Sequence, residues 1–168
     1  MIIQKTLKKQ INIQLKPDSI FPYVSDADFS THELIAHLLE QTGPAKVRIS
    51  SFSITETAIR SFLRLQESGM ITSMTCLFDL SVKRYRLGLL FFASNVINEI
   101  GMTNIHAKTA FIENENWKVV VITSANLNIN DKKEAGVIIS VPWHYQSMLA
   151  HYENWYSESL KVTPDEFN

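Results

Sequence analysis

The sequence predicts an α/β fold of one domain, with a mixed parallel and antiparallel sheet flanked by helices on both faces. Helical and strand-like segments alternate between residues 30 and 101, which is the order that builds a layered α/β sheet. Two later strand-like segments are separated only by the polar run ENEN, which indicates an antiparallel hairpin. A chain of 168 residues with 45% hydrophobic content is long enough to bury the core of one domain.

The first elements follow from capping signals. Residues 1–25 are expected to form a peripheral extension with a short strand at INIQL (residues 11–15), and residues 26–168 the domain. Ser30 and Glu33 have the spacing of a capping box, so a helix begins there and ends before Gly43. A strand, AKVRISSFSI, follows.

The remaining segments complete the predicted sheet. A second capping box, Ser53 to Glu56, starts a helix that ends at Gly69, and ITSMTCLFDL is then a buried strand. Residues 81–101 are predicted to form one long helix. After the hairpin, EAGVIIS is a third strand, and Pro142 lies in the first turn of an amphipathic, aromatic helix.

Composition limits the classes of partner and compartment. The 16 Lys and Arg against 17 Asp and Glu give a net charge of -1, so a polyanion would need a local basic patch. The single Cys76 excludes an internal disulfide framework. We expect a cytoplasmic protein without stable membrane association, because no run has the length of a signal peptide or the about 20 apolar residues of a membrane span.

Two pairs of polar residues interrupt the apolar hairpin strands. His106 and Lys108 are two apart on the first strand, and Ser124 and Asn126 are two apart on the second. Side chains two apart on a strand point to the same face, so each pair is a local cluster. Glu134, at the start of the third strand, is expected near the same place.

The loop length sets the register between these strands. If the loop comprises residues 114–116, His106 lies opposite Ser124 and Lys108 opposite Ile122. All of the polar pairs then share one face of the sheet. A loop one residue longer would shift this pairing by one residue, so the register is a hypothesis.

These residue types together suit an anionic reaction centre. An imidazole near neutral pKa acts as nucleophile, acid or base, while Lys and Asn donate hydrogen bonds to developing negative charge. A phosphodiester is therefore the natural substrate class. Metal binding fits poorly, because Lys is a rare ligand and the other four histidines are scattered. A single histidine on an apolar strand is usually structural, but the ordered set of five favours a site.

The pattern resembles the HKD motif of the phospholipase D superfamily. It is carried by His106, Lys108, Glu113, Ser124, Asn126 and Glu134. The resemblance covers about Ala45 to Ser159 and is closest to small bacterial endonucleases with a single motif, so it implies a phospholipase D-like fold. The sequence departs from the family in having Glu113 for the usual Asp, Thr123 for the usual Gly, and a longer spacing between Lys108 and Ser124.

The resemblance also implies a homodimer. Two HKD motifs build one active site in this superfamily, and none of the other histidines is followed by the x-Lys of the motif; these are His32, His37, His144 and His151. Two copies would therefore place the active site at a two-fold interface.

Roles for the residues follow from the same resemblance. His106 of one subunit would attack phosphorus, and the partner subunit's His106 would protonate the leaving oxygen. Lys108 and Asn126 would bind the non-bridging oxygens with help from Ser124, and Glu134 would orient His106. No metal or organic cofactor is implied. Glu113 is interpreted as structural.

A basic run supplies a candidate substrate-binding surface. Lys83, Arg84 and Arg86 surround Tyr85 and could contact a nucleic-acid backbone, with the ring available for stacking. The alternative is the solvated start of a helix.

The residues together with this resemblance imply a metal-independent phosphodiesterase, and the resemblance implies a nuclease acting through a phosphohistidine. Two alternatives stay open: a phospholipase or phosphatidyltransferase, which an exposed apolar rim would favour, and a catalytically idle dimeric module that binds phosphate or nucleic acid.

Overall fold

Eight strands form one sheet in the computed structural model, which describes residues 11–129 and 131–167. The strands are β1 (Ile20–Asp26), β2 (Ala45–Ser51), β3 (Ile71–Asp79), β4 (Glu99–Thr103), β5 (Thr109–Glu113), β6 (Lys118–Thr123), β7 (Lys133–Ile139) and β8 (Leu160–Val162). The helices are α1 (Thr31–Thr42), α2 (Glu56–Glu67), α3 (Leu80–Tyr85), α4 (Leu87–Val96) and α5 (Pro142–Glu158), with a 3-10 turn at Pro164–Phe167. No helix among the described residues has the length and apolarity needed to cross a membrane.

The sheet is mixed, as predicted. Its strand order is β1-β7-β6-β5-β2-β3-β4-β8. Strands β2, β3 and β4 are parallel, whereas the other neighbours pair antiparallel. The carboxyl ends of β2, β3, β4 and β6 therefore meet the amino ends of β5 and β7 at one end of the sheet, which we call its carboxyl end.

Helices cover both faces, which confirms the predicted layers. The larger core packs α1, α2 and α4 against one face, and a smaller core packs α5 against the other. Side chains of β5 point alternately to the two cores. Ala110 and Ile112 belong to the larger core. Phe111 packs under α5 against Tyr145 and Tyr152 in the smaller core.

A partly buried ion pair joins the sheet to α5 at the end opposite the carboxyl end. Arg48 on β2 donates from Nη1 to Glu113 Oε2 at 2.9 Å, and the Tyr145 hydroxyl donates to the same oxygen at 3.1 Å. Burial would raise the pKa of Glu113, but the hydrogen bonds from Arg48 and Tyr145 and the charge of Arg48 outweigh it and hold that pKa below its usual value. This contact agrees with the structural interpretation of Glu113.

The N-terminal strand lies later than predicted. Residues 11–15 are not a strand, because their backbone groups form hydrogen bonds with a side chain of α1. The Gln41 side chain donates to the Ile13 carbonyl and accepts from the Leu15 amide. The strand is β1, which pairs antiparallel with β7. The boundary predicted between residues 25 and 26 therefore falls inside β1; residues 1–10 of the predicted extension lie outside the described residues.

The predicted helix over residues 81–101 is wrong as one element. It breaks at Arg86, where φ is -138° and ψ is 40°, into α3 and α4. Asn98 then accepts the Met74 amide of β3 at 2.8 Å, and the chain continues as β4 beside β3. At Gly101 an added Cβ would collide with the Ser159 hydroxyl, so a larger residue there would require that side chain to move.

The two predicted capping boxes differ in outcome. The Ser30 amide donates to Glu33 at 2.9 Å, which confirms the start of α1. The cap of α2 is Thr55 and not Ser53, because the Ser53 hydroxyl instead donates to Asn128 at 3.1 Å.

We predict that Glu113→Gln lowers the free energy of unfolding by about 1–3 kcal/mol, since it removes the carboxylate bonded to Arg48 at 2.9 Å and leaves that guanidinium with the more distant Glu153, at 4.0 Å. Because the folded-state pKa of Glu113 is lowered, its contribution is present above the ordinary Glu pKa and is lost as pH falls through the folded-state value. Urea unfolding at several pH values should therefore show a shallower acid decline in the variant.

The matched control is Glu56→Gln, which removes the exposed ion pair with Arg60 on α2. Exposed pairs contribute about 0–1 kcal/mol, so this variant should stay close to the wild type. Equal losses in the two variants would contradict the assigned role of Glu113.

Candidate active site

His106 and Lys108 lie directly before β5, at the carboxyl end of the sheet. Lys108 Nζ is 3.3 Å from His106 Nδ1 and donates to the His106 carbonyl at 2.9 Å. The residue is only 9% exposed. Burial lowers the pKa of Lys108, and the negative charge of Glu134 opposes that shift. An ammonium group is thus held beside the imidazole in a poorly solvated position.

The predicted pairing register is wrong by one residue. The Thr123 amide donates to the Lys108 carbonyl at 3.0 Å, so Lys108 lies opposite Thr123 and not Ile122. The predicted pairing of His106 with Ser124 fails for the same reason. The polar residues after Thr123 reach the site from a segment that has left the strand, and not from a shared strand face.

A side chain in the loop causes this shift. Asn114 Oδ1 accepts hydrogen bonds from the amides of Asn116 and Trp117, at 3.0 and 2.9 Å. These bonds close a loop of residues 114–117, which is one residue longer than predicted, so that Glu113 pairs with Lys118.

Ser124 and Glu134 form a second part of the site. The Ser124 hydroxyl donates to Glu134 Oε2 and accepts from the Ala135 amide. This pair fixes the Glu134 carboxylate at the start of β7, from where its charge acts on Lys108. The carboxylate is therefore bonded to Ser124 in this structure, and its predicted contact with His106 stays a prediction.

Asn126 joins the site through the end of β2. Its Oδ1 accepts from the Phe52 amide at 3.2 Å and from the Ser51 hydroxyl at 3.4 Å. These bonds orient the carboxamide. The Phe52 ring lies 5.2 Å from the His106 ring, centroid to centroid, so Asn126 and His106 both contact Phe52.

Asp79 is a site residue that sequence reasoning missed. It ends β3, is largely buried, and accepts the amides of Ser81 at 2.9 Å and Ile105 at 3.0 Å. Burial would raise its pKa, but these hydrogen bonds and the charge of His106 lower it. Asp79 thus fixes the residue before His106 and places a carboxylate near the imidazole. Its position at the carboxyl end of a parallel strand is the sequence feature that could have indicated a site residue.

The three predicted substrate-binding residues make different contacts. Lys83 Nζ is 3.7 Å from Glu166, and the Arg84 guanidinium lies 5.7 Å from the Tyr85 ring centroid. Arg86 lines a cleft that begins at Phe52. Of the three, Arg86 is the one in the wall of that cleft.

A second groove adjoins His106 on the side of α5. It has a volume of about 330 Å³ and runs along residues 103–107 to Trp155 and Glu158. The Trp155 side chain is 37% exposed. An exposed tryptophan therefore lies beside the candidate catalytic histidine.

Comparison with known proteins finds solved structures with a similar fold. The sequence matches no protein-family model and no curated protein. Solved structures are similar. The phospholipase D family member Nuc from Salmonella typhimurium has a TM-score of 0.68 at 16% identity, covering 86% of this chain and 98% of that one. NucT from Helicobacter pylori has a TM-score of 0.65 at 13% identity, covering 86% and 100%.

A third similar structure has a different name and a longer chain. The phosphatidylserine synthase of Haemophilus influenzae has a TM-score of 0.58 at 13% identity, covering 85% of this chain and 40% of that one. Such low identities establish the fold. The chain has the phospholipase D-like fold that its HKD-like pattern predicts.

Proposed function

We propose that this protein is a metal-independent phosphodiesterase that hydrolyses nucleic acid as a homodimer. The observation that carries the proposal is the Lys108 ammonium, nearly buried beside the His106 imidazole. A buried cation costs free energy unless an anion accompanies it. Glu134 supplies part of that charge, and a substrate phosphate would supply more.

The chemistry proceeds in two displacements. A nitrogen of His106 forms a bond to phosphorus as the bond to the leaving oxygen breaks, and the partner subunit's His106 gives its proton to that oxygen. The partner subunit's His106 then takes a proton from water. The water oxygen attacks phosphorus, the N–P bond breaks, and His106 is restored.

The surrounding residues stabilise the charge that builds on the phosphoryl oxygens. Lys108 provides full positive charge, and Asn126, oriented by the Phe52 amide, provides hydrogen-bond capacity. Ser124 holds Glu134, whose charge favours the protonated form of Lys108. Asp79 positions the loop that carries His106 through the Ile105 amide.

A second subunit is required because one chain supplies one histidine at the site. Two copies related by an axis through the site would bring both His106 side chains to one phosphate. The groove that ends at Trp155 adjoins His106, so the second copy would also cover that exposed ring.

A lipid phosphodiesterase is the second candidate. Three exposed apolar side chains flank the basic run on α3 and α4: Leu80 precedes it, and Leu87 and Phe91 follow it. An apolar surface beside basic residues suits a lipid interface. Hydrolysis of a phosphatidylcholine vesicle, with no cleavage of nucleic acid, would favour this candidate.

We predict that the wild-type protein hydrolyses bis(p-nitrophenyl) phosphate in excess EDTA, and that His106→Asn loses on the order of 10³-fold or more in kcat, because it removes the nucleophile. Release of p-nitrophenol measures both. This substrate tests the chemistry without presuming a nucleic acid or a lipid.

The matched control is His144→Asn, at the start of α5 and away from the carboxyl end of the sheet. It should keep wild-type turnover. Activity that EDTA abolishes, or that survives in His106→Asn, would contradict the mechanism. Binding of DNA by a dimer without any turnover would instead support the idle module.

We also predict a Lys108-dependent alkaline decline in kcat. Burial lowers the pKa of Lys108 despite the opposing charge of Glu134, so its proton is lost below the ordinary lysine value of about 10.4, and turnover falls with it. Tyr23, near Glu134, has a pKa raised by burial and does not titrate below its usual range.

Lys108→Arg keeps its charge at every accessible pH, so this decline should disappear although kcat is lower throughout. Profiles between about pH 6 and pH 10.5 measure it. Lys118→Arg, at the other end of the hairpin, should keep the wild-type profile. A decline that persists unchanged in Lys108→Arg would show that another group causes it.

A further inference from the structure

A cleft of about 260 Å³ opens beside the candidate active site. One wall is the chain from Phe52 to Thr55, which connects β2 with α2. The other lining residues are Ser81, Val82, Tyr85, Arg86 and Asn128. The Phe52 ring lies 5.2 Å from the His106 ring. A group bound in the cleft would therefore be a direct neighbour of a phosphate at His106.

Two exposed aromatic rings contribute to this cleft. Tyr85 is 72% exposed and Phe52 is 36% exposed, so neither serves mainly to fill the core. The Arg84 guanidinium lies 5.7 Å from the Tyr85 ring centroid. Exposed aromatic faces are platforms on which planar groups stack.

Polar groups lie among the rings. Ser53, Ser81 and Asn128 are in the wall, and the Ser53 hydroxyl donates to Asn128 Oδ1 at 3.1 Å. Arg86 adds a guanidinium where the helix breaks between α3 and α4. Aromatic faces combined with hydrogen-bonding groups complement the faces and edges of a nucleobase.

A lipid fits this cleft less well. Its volume is below the about 300–1,000 Å³ of pockets that enclose a drug-sized ligand, so it admits one planar group and not an acyl chain. Anionic-lipid sites use about 4–8 clustered basic residues. Here Arg86 is the one residue of the basic run that lines the cleft.

We propose that this cleft binds one unpaired nucleobase next to the scissile phosphate, so that the substrate is single-stranded nucleic acid. The inference rests on the proposed function. In a duplex the faces of each base are stacked and its pairing edge is occupied, so a base enters such a cleft only after leaving the stack.

The test measures binding without cleavage. The full chain carrying His106→Asn is titrated into a fluorescein-labelled strand of about 12 nucleotides, alone or as a duplex, at one fixed salt concentration. We expect binding of the single strand to be at least about tenfold tighter. Adding Tyr85→Ala should weaken single-strand binding about tenfold, because the variant loses the ring on which one base stacks.

Trp143→Ala is the matched control, because Trp143 is 68% exposed on α5, away from the cleft. It should leave single-strand affinity unchanged, with circular dichroism confirming that each variant is folded. Equal affinity for strand and duplex, or no effect of Tyr85→Ala, would overturn the inference. The inference would also be overturned if the protein bound anionic vesicles but not the oligonucleotide, and if Tyr85→Ala weakened that vesicle binding.

The two proposals fail separately. Turnover of bis(p-nitrophenyl) phosphate with equal binding of strand and duplex would overturn the cleft assignment alone. Selective, Tyr85-dependent binding of the single strand without any turnover would overturn the proposed enzyme and leave the nucleobase site standing.

Discussion

The pairing register of β5 with β6 determines where the polar side chains of the central hairpin can lie. Phe111 packs against Tyr145 and Tyr152 under α5, while Ala110 and Ile112 face the larger core. A shift of one residue in the register would turn each of these side chains to the opposite face of the sheet. Hydrophobic burial therefore holds Lys108 where its ammonium meets His106.

The same register serves the two ends of the hairpin differently. At one end Glu113 neutralises Arg48 beneath α5, and the charges there are compensated within the chain. At the other end Lys108 is as buried as Arg48, but its ammonium donates to the His106 carbonyl and lies 3.3 Å from the His106 imidazole. This contrast supports the proposal that an anionic substrate binds at the carboxyl end of the sheet.

Much of this arrangement could be predicted from local patterns. Alternating helices and strands predicted the mixed sheet and its two helical layers, and the two-residue spacings selected the polar groups of the hairpin. The register could not be predicted, because it depends on the loop in which the Asn114 side chain accepts a hydrogen bond from the Trp117 amide.

Other features depend on contacts between distant segments. β4 follows an apolar helix without a clear stop signal, and its place beside β3 depends on Asn98 accepting the Met74 amide. Asp79 had one sequence signal, its place at the end of a strand, whereas Phe52 had none. Both become candidate site residues because β2 and β3 end beside the loop that carries His106.

The central claim, that one active site needs His106 from two subunits, is tested by mixing. Equal amounts of wild-type and His106→Asn chains, carrying different tags, are coexpressed so that dimers form at random, and capture through both tags confirms the mixed species. If both histidines are needed, turnover per total chain falls to about one quarter of the wild-type value. A value of about one half would show that each subunit works alone and would contradict the account.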